Sequence, residues 1–138
     1  MSGDPTVLFV CRHGAAKSVL AAAGLRKLAD GRDLRIVVDS AGIEPDPAVS
    51  PAVAAVLRSD GIDPAGFGPR LVRAADLASA SKVITFDLEP EELPMAGTDV
   101  ERWDDVPPVG DAPEGARAVI ARHLDDLVDR HFRSAPEG

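Results

Sequence analysis

The chain predicts an α/β fold, a three-layer αβα sandwich around a small parallel sheet of about four strands. Short, mainly apolar runs at residues 7–10, 34–38 and 82–86 read as buried strands, because a strand covered on both faces loses the alternation of a half-solvated one. Stretches with helical periodicity separate these runs, which implies βαβ units joined by right-handed crossovers. Cys11, Ser40 and Asp87 fall at the carboxyl ends of the expected strands, where open parallel sheets bind ligands. There is no internal repeat and no sign of a second domain, so residues 1–138 read as one domain, long enough to bury a core.

Taken in order, residues 5–10 form the first strand and Lys17 to Asp30 the first helix, with Leu20, Gly24 and Leu28 on one face. Gly24 inside that helix predicts close packing against the sheet, and Gly31 is a suitable stop. Residues 34–38 form the second strand, ending in a turn at Asp39-Ser40-Ala41-Gly42. Pro45, Pro47 and Pro51 stiffen the next stretch, and Ser50-Pro51 supplies an N-cap and a first-turn proline for a helix that stops at Asp60-Gly61. Two glycines and two prolines make 62–71 a surface loop, and 73–80 a short helix. Residues 82–86 are the third strand. Asp111 is placed to cap the last helix, with Glu114 in the capping-box position. Ala116, Val119, Ile120, Leu124, Leu127 and Val128 form its apolar stripe, with His123 and His131 at the core edge rather than as a metal pair. Residues 134–138 read as a frayed tail.

Composition excludes several classes of function. A net charge of −8 and a pI near 4.7 argue against a general nucleic-acid binder. No apolar run approaches the roughly 18 residues of a membrane span, and the N-terminus lacks the basic and apolar segments of a signal peptide, so a cytoplasmic protein is expected. One cysteine excludes an internal disulfide and a cysteine-rich metal site. No metal or organic cofactor is implied.

That cysteine sits in Val-Leu-Phe-Val-Cys11-Arg-His-Gly-Ala-Ala-Lys17-Ser18, where a strand feeds a helix through a tight loop. The free N–H groups of a helix N-terminus make an anion site. A cysteine in that field is favoured as the nucleophilic thiolate. Five residues between nucleophile and cation let the loop curl so that its amides converge on a tetrahedral oxyanion. Ala16-Lys17-Ser18 also shares the end of a nucleotide-binding phosphate loop. The glycines that such a loop needs are Cys11 and Ala16 here, so that reading is set aside.

Cys11, five residues, a cation at 17 and a hydroxyl at 18 resemble the phosphate loop of the low-molecular-weight tyrosine phosphatases and of the arsenate reductases that share their fold. The resemblance runs from about residue 6 to 132, and it implies that 87–94 is a polar segment leading to a further strand at 98–103. It implies that residues Arg12, His13, Gly14, Ala15, Ala16, Lys17 and Ser18 bind phosphate, mainly through backbone amides, with the Arg12 side chain pointing away. It implies that Cys11 attacks phosphorus to form a cysteinyl-phosphate that water hydrolyses, and that Ser40 braces the loop. The family cation is arginine, whose fork gives two parallel bonds; Lys17 is a point charge on a flexible stem. One lost charge-assisted bond costs roughly 1.5–3 kcal/mol, or about one to two decades of rate. The family's general acid, an aspartate worth about two to four decades, falls on Pro107 when aligned on Trp103 as in the arsenate reductases; Asp104 and Asp105 are the neighbouring candidates, and Asp111 is another, with its N-cap role competing.

Three functions follow from the resemblance. The first is a phosphatase-like hydrolase of phosphate monoesters, phosphotyrosine among them. The second is an arsenate reductase, suggested by His13 and by Glu101-Arg102-Trp103-Asp104. With no second cysteine in the chain, its adduct would need an external thiol or redox protein. The third is a degenerate module that binds phosphate or a phosphorylated partner without turnover.

Overall fold

The computed structural model describes residues 4–95, 97–110 and 113–132. Its elements are β1 (Thr6–Cys11), α1 (Lys17–Gly31), β2 (Val37–Gly42), α2 (Pro51–Ser59), α3 (Ala74–Ser79), β3 (Lys82–Thr85), β4 (Glu101–Arg102) and α4 (Pro113–Leu127). Short 3₁₀ turns lie at Pro64–Phe67 and Pro90–Glu92, and a π-turn at Val128–Phe132 follows α4. The strands are all parallel in the order β2-β1-β3-β4, so the expected small parallel sheet forms.

Alternation along β1 divides the core into two layers. Val7, Phe9 and Cys11 join the cluster that contains α1, α2 and α4, while Leu8 and Val10 pack with Leu77 of α3 and with Leu88 and Leu93 beyond β3. Trp103, 1% exposed, meets Phe9 at 5.7 Å between ring centroids and Phe86 edge-on at 5.8 Å. This packing fixes the start of the segment that follows β4 beside the end of β1, at roughly 0.5–1.5 kcal/mol per aromatic pair beyond simple burial.

Several boundaries differ from expectation, each for a tertiary reason. β2 begins at Val37 rather than at Leu34, so only the last two residues of the expected 34–38 strand belong to it. Its ladder begins where the carbonyl of Pro5 accepts the Val37 amide at 2.8 Å, and it runs through Asp39-Ser40-Ala41-Gly42 because β1 offers partners as far as Cys11. Leu34 and Ile36 pack on the core without entering the sheet. The fourth strand is two residues long at the sheet edge, paired as Ile84 with Glu101 and Thr85 with Arg102. The left-handed residue after α1 is Asp33 (φ 57°), not Gly31. Gly24 faces a helix rather than the sheet: a Cβ there would come within 2.8 Å of Leu124 Cδ1 in α4.

The cap of α2 is as expected, with Ser50 Oγ accepting the Val53 amide at 3.3 Å and Pro51 in the first turn. The apolar stripe of α4 is buried at Ala116, Ile120, Leu124 and Leu127. The Asp111 cap and the 134–138 tail lie outside the described residues. No helix among the described residues is long and apolar enough to cross a membrane.

Candidate active site

Cys11 ends β1, and α1 starts six residues later at Lys17. The turn between them is held from outside through its carbonyls. Those of Cys11, Arg12, His13 and Ala15 accept the amides of Ile43, Glu44, Asp46 and Ser50 at 3.3, 2.7, 3.0 and 3.0 Å. The amides of residues 12–16 donate to no protein acceptor among the described residues. With its acceptors spent outward and its donors unspent, the loop keeps the polarity that an anion requires.

Close backbone contact completes the support. Gly14 adopts φ 61°, and a Cβ on Gly42 would lie 2.5 Å from the Gly14 nitrogen and 2.7 Å from the His13 carbonyl carbon. Only a residue without a side chain lets the end of β2 approach the loop this closely. Cys11 Sγ lies 3.0 Å from the hydroxyl oxygen of the fully buried Ser18. Either atom can be the donor in this contact.

The opposite wall is built by side chains from residues 86–106. Lys17 Nζ donates to Asp87 Oδ2 at 2.5 Å and to the Val106 carbonyl at 2.7 Å, with 16% of its side chain exposed. Asp87, just past β3, holds a left-handed backbone (φ 59°). Its amide donates to Asp104 Oδ1 at 2.8 Å, and Asp104 Oδ2 accepts Arg102 Nε at 2.9 Å. Arg12 points away from the loop to Glu92, as the resemblance implies. The Glu89 amide and then Arg12 hold the Glu92 carboxyl below its usual range. His13 is exposed, with Nδ1 3.1 Å from the Glu44 carbonyl.

The remaining predicted residues take different places. Ser40 lies inside β2 opposite Phe9, and among the described residues no hydrogen bond from its side chain joins it to the loop. Gly42, two residues on, makes the contact. Asp104 and Asp105 are near the site, but both are engaged as acceptors. Asp105 Oδ1 lies 2.7 Å from His123 Nε2, and this hydrogen bond holds its carboxyl below the usual range, which opposes a proton-donating role. His123 stacks on Trp103 at 4.5 Å with the rings 12° apart, so its place is the core edge. His131 is exposed beside Arg130. Among the described residues no group of three or more His, Cys, Asp or Glu is arranged to hold a metal ion.

Asp87 and Gly42 are the residues whose roles sequence reasoning missed. The strand-end position of Asp87 was a signal, but its pairing with Lys17 spans 70 residues of chain.

This architecture is matched by known proteins. The chain is similar to a crystal structure of YfkJ from Bacillus subtilis, with a TM-score of 0.79 and 27% identity over 94% of this chain and 95% of that one. It is similar to a thioredoxin-dependent arsenate reductase from Corynebacterium glutamicum, with a TM-score of 0.74 and 25% identity over 94% of this chain, which spans 62% of the reductase. A low molecular weight protein tyrosine phosphatase from T. tengcongensis shares the fold, with a TM-score of 0.75 and 19% identity over 92% and 99% of the two chains. No curated protein matches the chain. The family model described as low molecular weight phosphotyrosine protein phosphatase matches residues 6–102, well over half of the sequence, and the chain therefore belongs to that family.

Proposed function

We propose that loop 11–18 is the oxyanion site of a cysteine-dependent phosphomonoester hydrolase. The observation that carries this reading is the division of the loop's backbone, in the turn that directly follows Cys11: four carbonyls held by residues 43–50, and amides 12–16 without acceptors among the described residues. In this reading Cys11 Sγ forms a bond to phosphorus as the ester oxygen departs, and the amides hold the equatorial oxygens as their charge rises. Water then attacks the cysteinyl-phosphate, releasing inorganic phosphate and regenerating the thiol.

The engagement of Asp104 and Asp105 bears on substrate class. With these two carboxylates held as acceptors and not poised to protonate the leaving oxygen, a phenolate leaves far more readily than an alkoxide. Aryl phosphates such as phosphotyrosine are therefore the favoured class. A second reading, oxyanion binding without turnover, is favoured by the two acceptors that already occupy Lys17. The neighbouring reductase raises a third: arsenate in the same loop, with an external thiol resolving the Cys11 adduct.

Steady-state phosphate release from a small aryl phosphate, measured for wild type beside Lys17→Arg from pH 5 to 8, tests the proposal. Turnover by wild type supports the hydrolase. Phosphate binding with turnover by neither protein overturns it in favour of the binding module. Arsenate reduction dependent on added thiol, again without phosphate release, identifies the reductase.

A further inference from the structure

Lysine at position 17 brings a flexible stem to a place where a rigid fork would orient itself. We infer that Asp87 is a positioning residue: with the Val106 carbonyl it holds the Lys17 ammonium so that its remaining N–H serves an anion in loop 11–18. This rests on the oxyanion reading of that loop.

Four observations support it. An ammonium carries three N–H donors. Two are spent on Asp87 Oδ2 and the Val106 carbonyl, which leaves one. The side chain is only 16% exposed, so water has less access to it than to a surface lysine. Asp87 is held at φ 59°, a conformation costly to most non-glycine residues and tolerated by aspartate where a hydrogen bond helps to keep it. Here the Asp104 carboxylate does so by accepting the Asp87 amide at 2.8 Å. Val106 is placed independently, since Trp103 is buried in the core and Asp105 is tied to His123 of α4. The two acceptors thus come from different elements and converge on one nitrogen. Asp104, read from sequence as an acid, positions the backbone of Asp87.

Charge alone makes the opposite prediction. A carboxylate beside an anion site repels the anion, so its removal should tighten binding.

The test is calorimetric titration of the full chain with inorganic phosphate. Asp87→Gly removes the side chain at no conformational cost at positive φ. Asp87→Asn keeps an acceptor oxygen and tolerates the same backbone. The expected result is phosphate binding about tenfold or more weaker in Asp87→Gly, with Asp87→Asn recovering most of the loss. In a Lys17→Met background, Asp87→Gly should cost nothing further, because the effect passes through the lysine. Affinity unchanged or tightened in Asp87→Gly overturns the assignment. So does a loss of equal size in the Lys17→Met background, which would mark a purely structural role. Wild type that fails to bind phosphate overturns the oxyanion reading itself and this assignment with it.

Discussion

Loop 11–18 and the rim opposite it, residues 86–106, meet at Lys17 but are held by different means. The loop is held through backbone: carbonyls accepting amides from 43–50, and Gly42 pressed against Gly14. The rim is held through side chains, in a chain of contacts from Lys17 to Asp87, from Asp87 to Asp104 and from Asp104 to Arg102. Backbone support of this kind makes loop geometry insensitive to most side-chain changes but vulnerable where an added atom has nowhere to go. Side-chain support lets position 17 be a lysine, provided other residues orient it.

The largest effect that could break this comparison is on turnover. Cys11→Ser should lower phosphate release more than about 10³-fold, the scale of losing a covalent nucleophile. Its phosphate affinity should stay within a few-fold, because the amides and Ser18 remain in place. Persistent turnover would remove Cys11 from the chemistry.

Gly42→Ala comes next. Its Cβ would sit 2.5 Å from backbone nitrogen, so the loop must shift. Thermal unfolding should show a loss of about 1–3 kcal/mol, accompanied by loss of phosphate binding. An unchanged melting point with intact binding would mean that the loop is more yielding than its backbone contacts imply.

On the rim side, Glu101→Gln probes the base of the network. Burial alone would raise the Glu101 carboxyl, but hydrogen bonds from Trp103 Nε1 and Lys82, with Arg130 nearby, outweigh it and lower it from 4.5 to about 2. A carboxylate lowered on folding stabilises fully above its unfolded value and loses that contribution as pH falls. Wild type should therefore lose stability between pH 4.5 and about 2, by about 1–2 kcal/mol after solvent screening. Glu101→Gln should be weaker at pH 7 and flatter across that window. Denaturant midpoints at pH 7, 4 and 3 measure both, and a parallel pH profile in the variant would show that Glu101 is not the group responsible.

The smallest effect is expected from His123→Leu, which removes the stack on Trp103 and the Asp105 pair. A cost of about 1 kcal/mol with phosphate affinity changed by less than a few-fold is expected. A large drop in affinity would mean that the rim depends on α4 more than the Lys17 contacts indicate.

How much of this was readable in sequence follows the same division. The 7–10 run, the glycine loop and the helical stretch after Lys17 carry β1, the turn and α1, because each depends on neighbours in the chain. The extent of β2 was not readable: Ser-Ala-Gly has turn propensity, and it is strand only because β1 lies beside it. The aromatic place of His123 was half readable, since its stripe on α4 put it at the core edge but could not show Trp103 facing it. Asp104 and Asp105 were found by proximity to Trp103, yet their partners lie 17 and 18 residues away, and those partners decide whether a carboxylate is free to carry a proton.

By itself the sequence determined the α/β class, the cysteine at the strand-to-helix turn and the family, because local pattern and spacing suffice for each. Tertiary structure alone decided that Gly42 presses against the loop, and that Lys17 answers to Asp87 and Val106. Those contacts join segments whose separation in sequence carries no trace of their closeness in space, and only the packing of the sheet and of Trp103 brings their atoms within hydrogen-bonding range.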